Sequence, residues 1–267
     1  MEGTSKRCTS RSRGGSLKIK RALRVWQRHF TVYRKLYMSS IALNFVEPVL
    51  YLVAFGFGLG GYISEVEGKP YINFIAPGII ASSSMFATIY ECTYGTYVRI
   101  FFQKTFDAIL ATPVNIDDLI AGELIWGATK SMLYGIIIVG TISAFRLVDS
   151  PLVVLVIPVL FLSGLIFAQI SLVCVALVPG VDSLNYFYTL FLSPMFLLSG
   201  IFFPLDNLPA FVGKVAWFTP LYHLTNVCRA FAAGSPGNAL EGAVWIIVVV
   251  ILLAPFPFRL MKRRIIR

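Results

Sequence analysis

Six stretches of this chain are apolar over about the length that crosses a bilayer, and that leaves few architectures open. They run approximately over residues 39–62, 72–93, 119–143, 152–178, 185–203 and 243–258. A helix needs roughly 20 apolar residues to cross about 30 Å of hydrocarbon. In lipid every backbone amide must be satisfied internally, so stretches of this kind are helices. Of the 267 residues 57% are hydrophobic and 13% charged, and the mean hydropathy is +0.77. Soluble domains carry about a quarter charged residues. The expected fold class is therefore an all-α integral membrane protein with six transmembrane helices.

The net charge of +10 is concentrated at the two ends. Lysines and arginines from Lys6 to Lys35 precede the first apolar stretch, and Arg259, Lys262, Arg263, Arg264 and Arg267 follow the last. Beside membrane spans such clusters mark cytoplasmic loops, so they are read as topology signals and not as a nucleic-acid surface. Both termini are expected inside, with Lys69, Arg146, Lys214 and Arg229 in the outer loops. The expected domains are a disordered basic tail (1–15), an amphipathic interface helix (16–38), a six-span domain (39–258) and a basic tail (259–267). The first apolar stretch starts too late and is too long for a cleavable signal peptide.

Within 16–38, Ile19, Leu23, Trp26, Phe30, Tyr33 and Tyr37 form a stripe at helical spacing, opposite Lys20, Arg21, Arg24, Arg28 and Lys35. A basic amphipathic helix of this kind is expected to lie in the headgroup layer. Between the second and third spans, Phe102, Phe106, Ile109 and Leu110 share one helical face, and Gln103, Lys104 and Asp107 the other. Pro113 ends that helix, and Asn115 with Asp118 resembles an N-cap pair opening the next. After the fifth span, Pro204, Pro209 and Pro220 break the chain into pieces of about ten residues. Such pieces are too short to cross and suit a re-entrant hairpin or an outer loop.

Glu47, Glu91 and Lys130 fall inside predicted spans, where an unpaired charge costs several kcal/mol. At about 1.5 Å per residue the three lie at heights that let Lys130 pair with either carboxylate. The alternative is that each snorkels or faces a wet cavity. The four cysteines, Cys8, Cys92, Cys174 and Cys228, lack metal-ligand spacing and read as small apolar fillers. Gly56 and Gly60 have the GxxxG spacing that lets helices approach closely. No GxxxxGK[ST] loop occurs, so ATP chemistry would belong to another chain.

The runs NFVEPVLYLVAFGFGLG (44–60), YINFIAPGI (71–79), ECTYGTYVRIFFQKTFDAILATPV (91–114) and LSGIFFPLDNLP (198–209) resemble permeases of type-2 ABC exporters. The resemblance extends from about residue 20 to the C-terminus and is nearest the branch of nodulation-factor, or lipo-oligosaccharide, export permeases. It implies a homodimer in the bacterial inner membrane that works by alternating access, with the first and fifth spans lining the path. It also implies two copies of a separate P-loop ATPase, which would bind ATP and Mg. The permease itself would hold no cofactor or metal and no catalytic residue. The resemblance makes 16–38 the interface helix and 99–113 a cytoplasmic coupling helix. Arg99, Phe102, Gln103, Lys104, Phe106, Asp107, Leu110 and Pro113 are its candidate contact residues. It makes 204–231 an outer re-entrant hairpin, with Pro204, Asp206, Pro209, Pro220 and His223 at an outer gate. The implied substrate is an amphiphile: a lipo-oligosaccharide, another glycolipid or a hydrophobic drug.

Two other classes compete. An ion-coupled secondary transporter would use Glu47 and Glu91 as proton sites, but the inverted repeats of many such folds are not visible. A membrane-embedded enzyme such as an acyltransferase or intramembrane protease would need a nucleophile with a base. The only histidines are His29, on the basic helix, and His223, on the outer side.

Overall fold

The computed structural model describes residues 18–63, 65–148, 150–205 and 209–266. The tail 1–15 and Asp206 lie outside these residues. The described chain is all-α apart from a two-residue hairpin pairing Glu65–Val66 with Lys69–Pro70. Helix α1 covers Ile19–Val53 and is carried on to Gly61 by a π turn and a 3-10 turn. Then come α2 (Tyr71–Phe102), α3 (Thr105–Leu110), α4 (Ile116–Ala144) and α5 (Pro151–Leu177). Helix α6 covers 182–197, α7 Ala210–Trp217, α8 Pro220–Ala232 and α9 Pro236–Ile266.

Among the described residues four helices, α2, α4, α5 and α9, are long and apolar enough to cross a membrane. Of the other two expected spans, the first lies on the helical run from Ile19 to Gly61, whose apolar stretch among the residues with described side chains is Val46–Gly61. The second is shorter: α6 stops at Leu197, so 198–203 is irregular and not the end of a span. Two contacts define a basic end of the bundle. Lys262 Nζ lies 2.7 Å from Asp117 Oδ1, and Arg264 donates to the Val178 carbonyl at 3.1 Å. At the other end the Tyr71 hydroxyl donates to the Phe202 carbonyl at 3.0 Å.

Helix α2 is the axis of the bundle: its apolar window is 83% buried, against 17% for α9. Around it, small residues let backbones close up where lipid offers little hydrophobic drive for helix pairing. A Cβ placed on Gly127 of α4 would stand 2.5 Å from Cys92 Sγ on α2 and 2.9 Å from Ala168 Cβ on α5. One on Gly122 would stand 2.6 Å from Val25 Cβ on α1. In the expected Gly56–Gly60 pair only Gly56 makes such an approach, onto Ile72; a Cβ placed on Gly60 would meet nothing within 4 Å.

Helix α1 corrects two expectations. It runs unbroken from the amphipathic half into the apolar half, through Pro48. Its first half packs along α4 on a face rotated from the predicted stripe: Ala22, Val25 and His29 are buried, whereas Ile19 and Leu23 are exposed. Trp26 Nε1 donates to Thr129 Oγ1 at 3.0 Å, and Tyr33 meets the Trp126 ring edge-on. The seam was chosen by Gly122 and by polar partners, which a count of apolar residues does not register.

The close approach gives the first test. Gly127→Val should lose about 1–3 kcal/mol of stability through overpacking, seen as a lower midpoint of thermal unfolding in detergent. Gly140→Val, where nothing stands within 4 Å, should leave the midpoint in place.

Candidate functional site

Toward the basic end α2 winds through two π turns, Glu91–Gly95 and Val98–Phe102. Such wide turns change the rotation per residue and re-aim side chains, and they recur at functional sites. Here they bring Glu91 and Arg99 to one side of the helix. Arg99 Nη1 donates to Glu91 Oε1 at 2.7 Å, and Arg99 Nη2 to Glu123 Oε2 of α4 at 2.8 Å. Lys130 Nζ, two turns along α4, lies 3.3 Å from Glu91 Oε2, and His29 Nε2 of α1 lies 2.9 Å from Glu123 Oε1. Thr96 joins by donating to Glu123 Oε2 at 3.2 Å and accepting from Arg99 Nη2 at 3.0 Å. Gly95 leaves room beside it, since a Cβ there would stand 3.2 Å from Arg99 Nη1.

The result is a chain of polar contacts, Lys130–Glu91–Arg99–Glu123–His29, crossing three helices. Its two carboxylates face Lys130 and Arg99. Glu123 is 1% exposed and Arg99 12%, so these are interior pairs. Charges taken out of water are tolerated when geometry and further hydrogen bonds compensate the lost hydration. Aromatic faces add to this: the Lys130 ammonium lies 4.5 Å from the centre of the Tyr33 ring.

Of the three intramembrane charges singled out in the sequence, Glu91 and Lys130 meet. Glu47 is half-buried on α1, and among the described residues it pairs with no cation. Arg99, expected at a partner-facing surface, points inward. Glu123 and His29 complete the network and escaped the sequence reading. The signal for Glu123 was a carboxylate inside an apolar run, seven residues and one helical face from Lys130.

The segment 99–113 is two pieces and not one helix. Lys104 has φ 53° and ψ 26°, a left-handed conformation that ends α2 and starts α3. Phe102 and Phe106 therefore do not share a face: Phe102 is 68% exposed and Phe106 is buried beside Val25, Leu119 and Ile120. Phe106 pins α3 to the bundle, while Gln103, Lys104, Asp107 and Pro113 stand outward and Leu110 is half-buried. The expected cap is present: Asn115 N–H donates to the Asp118 carboxylate at 3.3 Å and starts α4.

At the far end α7 and α8 form a helical hairpin. Pro209 precedes α7 and Pro220 opens α8, positions that need no amide donor. Leu221, Leu224 and Cys228 of α8 are buried in the core. Arg229 donates to the carbonyls of Gly200 and Ile201 at 2.5 and 3.3 Å, holding the loop that carries Pro204. His223 lies 2.7 Å from the Trp217 carbonyl and stacks on Trp245 at 4.1 Å. Burial holds its imidazole below the usual range. No cluster of metal-binding side chains occurs among the described residues.

A bundle with a charged hub at one end and a packed hairpin at the other defines a multi-pass helical membrane protein. A family model described as ABC-2 type transporter matches residues 22–232. Nodulation protein J of Sinorhizobium fredii is 33% identical over 246 residues, 91% of this chain and 93% of that protein. Nodulation protein J of Rhizobium leguminosarum bv. viciae is 36% identical over 249 residues, 92% of this chain and 95% of that protein. Inner membrane transport permease YadH of Escherichia coli is 23% identical over 228 residues, 85% and 89% of the two chains. The chain belongs to the ABC-2 type transporter family, as a transport permease.

Removing one member of the network leaves another charge buried without its partner. Glu123→Ala should cost about 3–5 kcal/mol of stability, read as thermal unfolding in detergent. Asp107→Ala, at an exposed position, should stay within about 0.5 kcal/mol.

Proposed function

We propose that this chain is the membrane subunit of an ATP-driven exporter. It crosses the bacterial inner membrane six times, counting α6 and the apolar half of α1, with both termini and the basic end of the bundle in the cytoplasm. Two copies form a dimer, and each docks a separate P-loop ATPase that binds ATP and Mg. Closure of the ATPase pair pushes on α3, and the dimer interface opens outward, releasing an amphiphilic substrate such as a lipo-oligosaccharide, a glycolipid or a hydrophobic drug. A ligand shifts such a balance only through different affinity for the two states. Here that ligand is ATP, acting through the partner chain.

The observation that carries this reading is the way α3 is mounted. Lys104 and the Asn115–Asp118 cap bound it as a separate short rod, and Phe106 seats it on the bundle. Immediately beyond Lys104 the charge network ties α1, α2 and α4. A push on the outward face, Gln103, Lys104 and Asp107, is therefore passed to three helices at once. The competing readings are weaker on the same geometry. Glu91 is held between two cations and is poorly placed to carry protons. His223 is engaged by the Trp217 carbonyl.

The test is to co-express the chain with the P-loop ATPase encoded by the same genome and place a cysteine at Asp107, with the native cysteines replaced. Crosslinking to the ATPase, with a yield that changes on adding ATP, is expected. Labelling of that cysteine by an impermeant reagent from outside the cell would sink the proposal.

A further inference from the structure

At the end of the bundle away from the charge network, a small groove holds two opposite charges that the fold leaves apart. Its walls are the Glu65–Pro70 hairpin, the first turns of α2, the loop after α4 and the end of α8, and its volume is ≈ 100 Å³. Arg229 reaches it from α8. Its Nη2 is spent on the Gly200 and Ile201 carbonyls, and its guanidinium lies 4.0 Å from the centre of the Phe74 ring. Among the described residues Nε and Nη1 find no acceptor. Glu67 lines the same groove from the hairpin turn, where φ is 54° at Glu67 and 72° at Gly68. Two left-handed residues in succession suit a two-residue hairpin loop, so the carboxylate stands on a short support. Glu67 is exposed and its charge acts on Arg229, yet among the described residues it makes no ion pair or hydrogen bond. Lys69 and Asn73 add polar groups to the wall, and Phe74 and Pro77 an apolar part.

A guanidinium with donors to spare and a carboxylate without a partner, lining one space, suit a ligand that carries both signs. The level of the groove narrows the choice. Helix α2 starts at Tyr71 and α4 ends at Ala144, so the groove sits where the spans end, among lipid headgroups. Phosphate is a preferred partner of guanidinium groups. A primary ammonium offers N–H donors to a carboxylate, as lysine does, whereas a quaternary ammonium has none. A purely anionic head would leave Glu67 facing a like charge. A phosphoethanolamine head supplies both the phosphate and the primary ammonium and adds no further charge.

We propose that this groove binds the head of a phosphatidylethanolamine molecule, with the phosphate on Arg229, the ammonium on Glu67 and the acyl chains leaving along the bundle into the bilayer. A lipid head reaches this level on whichever side of the membrane this end lies, so the site stands apart from ATPase docking. The test is native mass spectrometry of the delipidated full-length chain, titrated with phosphatidylethanolamine, phosphatidylcholine and phosphatidylglycerol of equal acyl chains. The wild type should hold phosphatidylethanolamine at least about tenfold more tightly than either of the others. Glu67→Gln should remove that preference, and Glu67→Lys should turn it toward phosphatidylglycerol. Both substitutions fall at an exposed position, so the unfolding midpoints without lipid should match the wild type.

Equal binding of the three lipids by the wild type, or an unchanged preference in Glu67→Gln, would overturn the site. A wild-type preference for phosphatidylglycerol would make this an anion site and overturn the role of Glu67. Displacement of the bound lipid by an equal concentration of soluble phosphoethanolamine would assign the groove to a free ligand and overturn the lipid.

Discussion

The fold turns on one guanidinium held between a half-buried carboxylate, Glu91, and a buried one, Glu123. Arg99 bonds Glu91 on its own helix and Glu123 on the next, at 2.7 and 2.8 Å. Lys130 and His29 extend the chain of contacts into α4 and α1. An apolar core of leucine and phenylalanine can slide without leaving a charge exposed to hydrocarbon. A set of interlocked ion pairs cannot, because any shift that separates one pair strands a charge in low dielectric. The hub therefore fixes the register of α1, α2 and α4 at the end of the bundle where α3 is attached.

The surrounding packing follows from that fixed point. Gly122 and Gly127 let α4 pack closely against α1, α2 and α5, so the four helices form one tightly packed block. Helix α9 packs on the outer side of α5, where Gln169 Nε2 donates to the Val250 carbonyl at 3.2 Å, and its basic end reaches α4 through the Lys262–Asp117 pair. Far from the hub the chain is held differently. Arg229 and Tyr71 clasp the carbonyls of the 198–203 loop, and α8 fills the space that a full crossing would otherwise occupy. The end that carries α3 is thus tied by charge pairs, and the end with the buried hairpin by side chain to backbone bonds.

Much of this was legible in the sequence. Apolar runs gave the helical class and the long helices α2, α4, α5 and α9, and prolines marked the short α7 and α8. The Asn115–Asp118 pair announced the start of α4. What escaped were features set by three-dimensional register. The helix wheel of 16–38 ranks residues by polarity, but the buried face was decided by Gly122 and Thr129 of another helix. Arg99 was placed at the partner surface by the resemblance to a coupling helix, whereas the π turns of α2 aim it inward at Glu91 and Glu123. Lys104, a lysine in a left-handed conformation usually left to glycine, divides what periodicity joins. Glu123 looked unexceptional because its partners, Arg99 and His29, are distant in sequence.

The central claim is that Arg99 and Glu123 act as one buried unit, and a double-mutant cycle in detergent measures it directly. With Arg99→Gln, Glu123→Gln and the double variant, thermal unfolding should give a coupling of about 1.5 kcal/mol or more. The double variant should be more stable than at least one of the singles, because neither charge is then left alone. Losses that simply add, within about 0.5 kcal/mol, would contradict the account.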